Sequence, residues 1–200
     1  MPLGDNPSGG LAVALRDQLT AMGGLWIGHN DEIAENKPAE TLAELPGAPF
    51  QRKGFDLTQD EYDGYYLGFA NSVLWPLFHG RADLLDLRSD FLTTYRAVNR
   101  RIARLVADEL REDDRLWVHD YHLIPIAAEL RAMGCENRIG FFLHIPFPGA
   151  GDCHALPDVP LFAKWLAAYD LIGLQSQRDV SAFADCFNSL DDAEAQGDGT

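Results

Sequence analysis

The sequence predicts an α/β protein built on a parallel, Rossmann-like sheet. The first observation is a regular alternation of short strands and helices from residue 115 onward. The second is that these strands are apolar almost throughout, as in 138–144, rather than alternating between apolar and polar residues. Strands that are buried on both faces have this composition, and the intervening helices cover them. A chain of 200 residues suits one domain of this kind.

The first half of the chain shows fewer regular patterns. Apolar residues at helical spacing end at Gly23 and Gly24, which predicts a helix over 11–22. We then predict a short strand over 25–28, a charged surface loop over 30–47 and an edge strand over 50–57. The segment 61–79 is dense in aromatic residues.

The second half is more regular. Tyr95, Val98 and Ile102 recur at helical spacing, with arginines on the outer face, which predicts a helix over 90–111. Strands are predicted over 115–119, 138–144 and 171–175, and helices over 123–133, 160–168 and 176–187. The polar residues 191–200 predict a disordered tail. In parallel sheets of this class, ligands bind at the carboxyl ends of the strands.

Composition excludes several classes of partner. The formal net charge of -15 argues against nucleic acid and against anionic lipid, which both select for Lys and Arg. No apolar run approaches the roughly 20 residues that span a bilayer, and the first ten residues lack the features of a signal peptide. Cys135, Cys153 and Cys186 form no zinc or redox motif, so we expect reduced thiols in a cytoplasmic protein.

Gly9 and Gly10 precede the first predicted helix. Two glycines would let a phosphate or a sugar approach the backbone, and the start of the helix would supply free N–H donors. An ordinary N-terminal loop, with Ser8 near the cap, is the alternative interpretation.

Polar side chains follow the strand predicted over 115–119. Asp120 could accept hydrogen bonds from sugar hydroxyls or orient a neighbouring histidine, and capping of the following helix is the alternative. A metal site is the weaker interpretation. A strand end does not place His119 and His122 together as an i, i+4 helical pair would.

His144 ends another apolar strand, and the prolines after it force an extended turn. Its imidazole could bond a sugar hydroxyl or a charge that develops at a reacting centre. A histidine satisfied within the core is the alternative.

Aromatic side chains could wall a sugar pocket, since their faces stack on the C–H face of a pyranose. The candidates are Trp26, Tyr65, Tyr66 and Trp75. Aromatic residues at helical spacing more often belong to a core, so both interpretations stay open at this point.

Taken in order, seven stretches resemble the trehalose-6-phosphate synthase family, the glucosyltransferases that join UDP-glucose to glucose 6-phosphate. The resemblance runs from about Ser8 to Leu190. The stretches are 9–13 (GGLAV), 23–26 (GGLW), 65–76 (YYLGFANSVLWP), 95–99 (YRAVN), 117–123 (WVHDYHL), 138–148 (RIGFFLHIPFP) and 169–173 (YDLIG).

The resemblance implies a GT-B fold, in which two Rossmann-like domains face each other across a cleft. This chain would be the N-terminal, acceptor-binding domain over 8–190. The implied reaction is glucosyl transfer with retention, which forms trehalose 6-phosphate and UDP without a metal or another cofactor. UDP-glucose and glucose 6-phosphate are the implied partners. A homo-oligomer of the full-length family members is left open.

The resemblance also implies roles for individual residues. The implied contacts of the glucose 6-phosphate acceptor are Trp26, Tyr66, Trp75 and Asp120. His144 is expected near the reacting glucose, and His144 and Asp120 are the expected catalytic residues. Gly9 and Gly10 are expected to approach the phosphates of the UDP-glucose donor.

The sequence departs from the family pattern in three places. Residues 1–7 lack the hydrophobic strand ending in Ser-Asn-Arg, so the first and central strand of the sheet is expected to be missing. An exposed edge, with marginal stability or a compensating partner, is then expected. The turn 149–154 differs from the usual Pro-Glu-containing turn. The C-terminal, donor-binding domain is expected to be absent, so we expect an inactive fragment.

Two other classes of function remain open. A non-catalytic binding or regulatory module could dock on a full-length synthase through an exposed sheet edge. An unrelated Rossmann-like protein could bind a nucleotide or a sugar phosphate, but it would have to match seven ordered stretches by chance.

Overall fold

A computed structural model describes the backbone of residues 10–197 and the side chains of residues 15–188. The chain divides into two compact units, Met1–Tyr62 and Asp63–Thr200, so the single domain over 8–190 stays a prediction. The first strand that was predicted to be missing falls on residues outside the described part. Within 10–197, none of the helices combines the length and the apolar character needed to traverse a bilayer.

The first unit consists of one long helix followed along the chain by a small sheet. Its elements are α1 (Gly10–Met22), β1 (Leu25–Ala34), β2 (Ala43–Glu44), β3 (Gln51–Thr58) and α2 (Gln59–Glu61). The strand order is β1-β3-β2, with β1 parallel to β3 and β2 antiparallel to it. The helix predicted over 11–22 is confirmed. The predicted edge strand over 50–57 is instead the central strand of this sheet.

β1 extends into the segment that was predicted to be a loop over 30–47. Its pairing with β3 shifts register between His29 and Ile33, and Asp31 within that interval has a positive φ of 63°. A bulge of this kind interrupts the alternation of side chains between the two faces. For this reason the polar residues at the bulge did not predict that β1 continues beyond them.

The second unit contains a parallel sheet with helices between its strands. β4 (Arg115–His119), β5 (Arg138–Phe142) and β6 (Leu171–Gly173) pair in the order β4-β5-β6. A π-helix (Tyr62–Leu74) leads into α3 (Trp75–Phe78), and 3-10 turns lie at Ala82–Leu84 and Tyr121–Leu123. The remaining helices are α4 (Ser89–Ala107), α5 (Ile126–Ala132), α6 (Ala150–Cys153), α7 (Val159–Ala167) and α8 (Gln177–Gly197).

The predicted elements of this unit are confirmed, with differences at their ends. β4 has the predicted bounds. α4 ends at Ala107 rather than at residue 111. The acidic residues after Ala107 would destabilise a longer helix, because its C-terminal end carries the negative end of the helix dipole. α5 begins after Pro125 rather than at residue 123, because proline lacks the N–H that a helix interior requires.

One row of residues in register across the sheet is exposed to solvent on one face. Trp117, Gly140 and Leu171 lie side by side in the register of β4, β5 and β6. Trp117 is 49% exposed and Leu171 is 56% exposed. A Cβ at Gly140 would lie 2.7 Å from the Trp117 ring, so this glycine lets the indole approach β5 closely. The expected cover on both faces does not hold for this row.

The end of the chain also differs from the sequence prediction of a disordered tail over 191–200. The backbone of α8 continues to Gly197. Ala and Glu at 193–195 are strong helix formers, which accounts for the continuation. Residues 198–200 lie outside the described part.

A disulfide joins Cys153 in α6 to Cys186 in α8, and both side chains are buried. Cys135 is free. The prediction of three reduced thiols is therefore wrong. The spacing of the cysteines gave no sign of the pair, because the two residues are brought together by the packing of α6 on α8.

The disulfide closes a segment with a sequence separation of 33 residues. We expect the double variant Cys153→Ala/Cys186→Ala to lose about 2–4 kcal/mol of unfolding free energy, because the unfolded chain gains freedom. Urea unfolding under non-reducing conditions measures this loss, and Cys135→Ala is the matched control with little effect. Three titratable thiols in the unfolded, unreduced protein would show that the bond is absent.

Candidate active site at the ends of two parallel strands

Two parallel strands bring the predicted site residues to one edge of the sheet. His119 ends β4 and lies in register with Phe142, the last residue of β5. The N–H of Asp120 then donates to the carbonyl of Phe142 at 2.9 Å. Asp120 and His144 therefore both lie directly beyond the carboxyl ends of neighbouring strands, where ligands bind in this fold class.

The carboxylate of Asp120 ties the two strand ends together. Its Oδ1 accepts hydrogen bonds from the N–H of Tyr121 at 3.1 Å and from the N–H of His144 at 3.4 Å. Asp120 adopts φ 73° and ψ 163°, a region of backbone conformation that is nearly restricted to glycine. Strained residues of this kind concentrate at functional sites.

Burial governs the protonation of these groups. It raises the pKa of Asp120, against the hydrogen bond from the Tyr121 N–H and the nearby His144, which lower it. Burial lowers the pKa of His144, and the charge of Asp120 opposes that effect. A neutral imidazole thus lies beside a carboxylate at neutral pH, and it can donate one hydrogen bond and accept another.

His119 contacts His144 directly. The Nδ1 of His119 lies 3.0 Å from the Nε2 of His144, within hydrogen-bonding distance. Burial lowers the pKa of His119 to about 4, and the neighbouring His144 adds to this effect.

A stack of three rings extends from this edge. Tyr66 stacks on His122 with ring centroids 5.2 Å apart, and His122 lies against Tyr121 at 4.1 Å. The Tyr121 hydroxyl donates to Oδ1 of Asn71 at 2.8 Å. The Nε2 of His122 is buried and has no hydrogen-bond partner among the described residues. This burial lowers the pKa of His122 to about 3.

The π-helix places Tyr66 in the stack and Asn71 beside it, and two of its glycines pack tightly on α4. A Cβ at Gly64 would lie 2.8 Å from the Thr94 side chain, and one at Gly68 would lie 2.6 Å from the ring of Phe91. Larger residues would push the two helices apart. π-helical segments are rare and often occur at functional sites.

Two buried polar side chains of α4 hold the turn that follows β4. The hydroxyl of Tyr95 donates to the carbonyl of Tyr121 at 2.6 Å. The Nδ2 of Asn99 donates to the carbonyls of Tyr95 and His122 at 3.0 and 3.1 Å. Both residues are fully buried. The turn that carries Asp120 is therefore anchored from the core.

The turn after β5 is anchored from the other side. The side-chain amide of Gln175 donates to the carbonyl of His144. The buried carboxylate of Asp179 accepts from the N–H of Phe147 at 3.1 Å and from the Ser176 hydroxyl at 2.6 Å. Both strand ends thus have a fixed backbone, which the positioning of a catalytic side chain requires.

The remaining predicted residues have other neighbours. Trp75 packs on His79 in the next turn, with ring centroids 4.1 Å apart, and it is 42% exposed. Trp26 belongs to the first unit, where it stacks on Phe50 at 6.1 Å. Gly10 begins α1, and Gly9 lies outside the described residues.

No group of three His, Cys, Asp or Glu side chains in the described part could hold a metal ion. The two histidines considered as metal ligands in the sequence have different neighbours. His119 contacts His144, and His122 lies between two tyrosines.

Sequence reasoning missed four residues that shape this site. They are Asn71, Asn99, Gln175 and Asp179. Asn71 and Asn99 lie inside stretches that carried the family resemblance, so their polar side chains amid apolar neighbours were the available signal. Gln175 and Asp179 follow a short strand and gave no comparable pattern.

The model of glycosyltransferase family 20 matches residues 4–200. The chain belongs to glycosyltransferase family 20. The trehalose-6-phosphate synthase of Sodalis glossinidius is 45% identical over 176 residues, which is 88% of this chain and 37% of that relative.

Two solved structures show the same family fold. The alpha,alpha-trehalose-phosphate synthase (UDP-forming) of Burkholderia xenovorans in complex with glucose-6-phosphate is 41% identical, with a TM-score of 0.86 over 92% of this chain and 41% of that one. An E. coli structure bound with UDP-2-fluoro glucose is 41% identical, with a TM-score of 0.87 over 95% of this chain and 42% of that one. These likenesses confirm the predicted fold class, the Rossmann-like N-terminal part of a GT-B glycosyltransferase.

The family-20 chain thus spans about two fifths of the length of each of these relatives.

The backbone conformation of Asp120 yields a stability prediction. Asp120→Ala and Asp120→Gly both remove the carboxylate, but only glycine relieves the strain. We therefore expect Asp120→Gly to be more stable than Asp120→Ala by about 1–3 kcal/mol in urea unfolding. The same pair at the exposed Asp113, which has no positive φ, should show no advantage for glycine. Equal stability of the two Asp120 variants would contradict the strain.

The burial of His122 yields a pH dependence. The unfolded chain takes up a proton near pH 6.5, whereas folded His122 resists protonation down to about 3. The unfolded state then binds more protons, so this stabilising contribution is complete above pH 6.5 and is lost as the pH falls toward 3.

We expect His122→Phe, which keeps the ring stack, to flatten the dependence of unfolding free energy on pH between 7 and 5. One proton corresponds to a slope of about 1.4 kcal/mol per pH unit. His154→Phe, at an exposed position, is the control and should leave the wild-type slope. An unchanged slope in His122→Phe would show that His122 does not resist protonation.

Proposed function

We propose that the second unit binds glucose 6-phosphate as the acceptor in a retaining, UDP-forming glucosyl transfer that yields trehalose 6-phosphate. The observation that carries the proposal is the Asp120 carboxylate, held beyond two parallel strands by two backbone N–H groups. Both of these hydrogen bonds use Oδ1, which leaves Oδ2 to accept from a sugar hydroxyl. Membership of glycosyltransferase family 20 supports this assignment.

The neighbouring residues have complementary roles in the proposal. Tyr66, stacked on His122, contributes an aromatic ring to the acceptor site, and Trp75 contributes a partly exposed indole. His144 supplies a neutral imidazole near the reacting glucose of UDP-glucose. Preorganised dipoles and hydrogen-bond donors at such a position stabilise charge that develops during transfer. The proposed roles of Trp26, Gly9 and Gly10 rest on the family resemblance alone.

The proposal is tested by the affinity of the chain for glucose 6-phosphate in titration calorimetry. We expect Asp120→Asn to weaken binding at least tenfold, about 1.4 kcal/mol, because a hydrogen bond to a charged acceptor is lost. The exposed Asp113→Asn changes the net charge equally and is the matched control. Thermal unfolding of each variant verifies that it is folded.

Two outcomes would contradict the proposal. One is an Asp120→Asn variant that binds glucose 6-phosphate as tightly as the wild-type chain. The other is a folded wild-type chain that does not bind this sugar phosphate at all, which is the result expected of a docking module without an acceptor site.

A further inference from the structure

The contact between His119 and His144 has no part in the proposed acceptor site, yet it involves the ring of the proposed catalytic histidine. His119 is the last residue of β4, and His144 follows β5. The Nδ1 of His119 and the Nε2 of His144 are 3.0 Å apart, and the ring centroids are 5.2 Å apart.

We propose that His119 is a positioning residue that fixes the tautomer and the ring orientation of His144. The inference depends on the proposed function only for the catalytic role of His144. The pairing itself is a property of the chain without any ligand.

The chemistry of two neutral imidazoles supports the proposal. Each neutral ring has one N–H donor and one nitrogen acceptor. A hydrogen bond between Nδ1 of His119 and Nε2 of His144 requires one of these nitrogens to carry the proton and the other to lack it. The other ring nitrogen of His144, Nδ1, then has the opposite protonation state to its Nε2. The two rings therefore change tautomer only together, so whatever selects one tautomer of His119 also selects whether His144 presents a donor or an acceptor to a ligand.

Both rings are neutral at pH 7, because burial lowers the pKa of each of them. The charged group next to the pair is Asp120, whose Oδ1 binds the N–H of His144 rather than its ring. The carboxylate therefore does not replace His119 as the ring partner.

The backbone at both strand ends has its own anchors. Asp120 N–H donates to the Phe142 carbonyl at 2.9 Å, and Gln175 holds the carbonyl of His144. Removal of the His119 imidazole should therefore leave the strand ends in place and release only the His144 ring. A merely structural role of His119 would not alter the tautomer of His144.

The test is the imidazole ¹H–¹⁵N correlation spectrum of the ¹⁵N-labelled chain at pH 7. We expect His144 in the wild-type chain to be a single tautomer, with its two ring nitrogens widely separated in chemical shift. In His119→Phe we expect these two shifts to converge toward the average of two exchanging tautomers. His119→Asn should restore the separation, because an asparagine amide can place a donor or an acceptor near the former Nδ1.

His154→Phe is the matched control and should leave the His144 signals unchanged. Unchanged His144 shifts in His119→Phe, or a folded His119→Asn that does not restore them, would overturn the proposal. If His119→Phe does not fold, the wild-type and His119→Asn spectra still test the proposal. A tautomeric mixture at His144 in the wild-type chain contradicts it. A single tautomer that persists in His119→Asn supports it. No sugar phosphate is present, so a failure here is separate from a failure of acceptor binding.

Discussion

The site depends on one interaction, the bridge that the Asp120 carboxylate makes between the ends of β4 and β5. Each of the two turns has its own anchors in the core, and the Asp120 carboxylate joins one turn to the other. One oxygen that accepts from the N–H of Tyr121 and from the N–H of His144 fixes both turns at once. The left-handed φ of Asp120 is the local cost of this geometry. This bridge positions the histidine pair and the aromatic stack.

The core supports this bridge through buried polar groups. Tyr95 and Asn99 enter an otherwise apolar interface from α4 and bind carbonyls of the turn after β4. An unpaired polar group in such a place would be costly, so these side chains specify one position for the turn. The glycines of the π-helix allow it to pack closely on α4, and the ring of Tyr66 then contacts His122.

The sequence predicted the parallel strands and the two strand ends that carry Asp120 and His144, because apolar runs followed by polar residues mark such ends. It did not predict the π-helix, since the aromatic spacing of 61–79 is shared by several helical conformations. It placed β3 at an edge because local pattern does not reveal the neighbours of a strand. The disulfide and the contact of His119 with His144 depend on tertiary packing, which spacing along the chain does not encode.

The covalent link between α6 and α8 has a consequence for the segment after the site. Cys153 closely follows the turn that carries His144, and Cys186 lies within the long terminal helix. A protease that cut the chain anywhere between these two residues would produce pieces that stay attached to each other. Separation of the pieces would need a reductant as well as the cut, and each nicked molecule would keep its original mass apart from one added water.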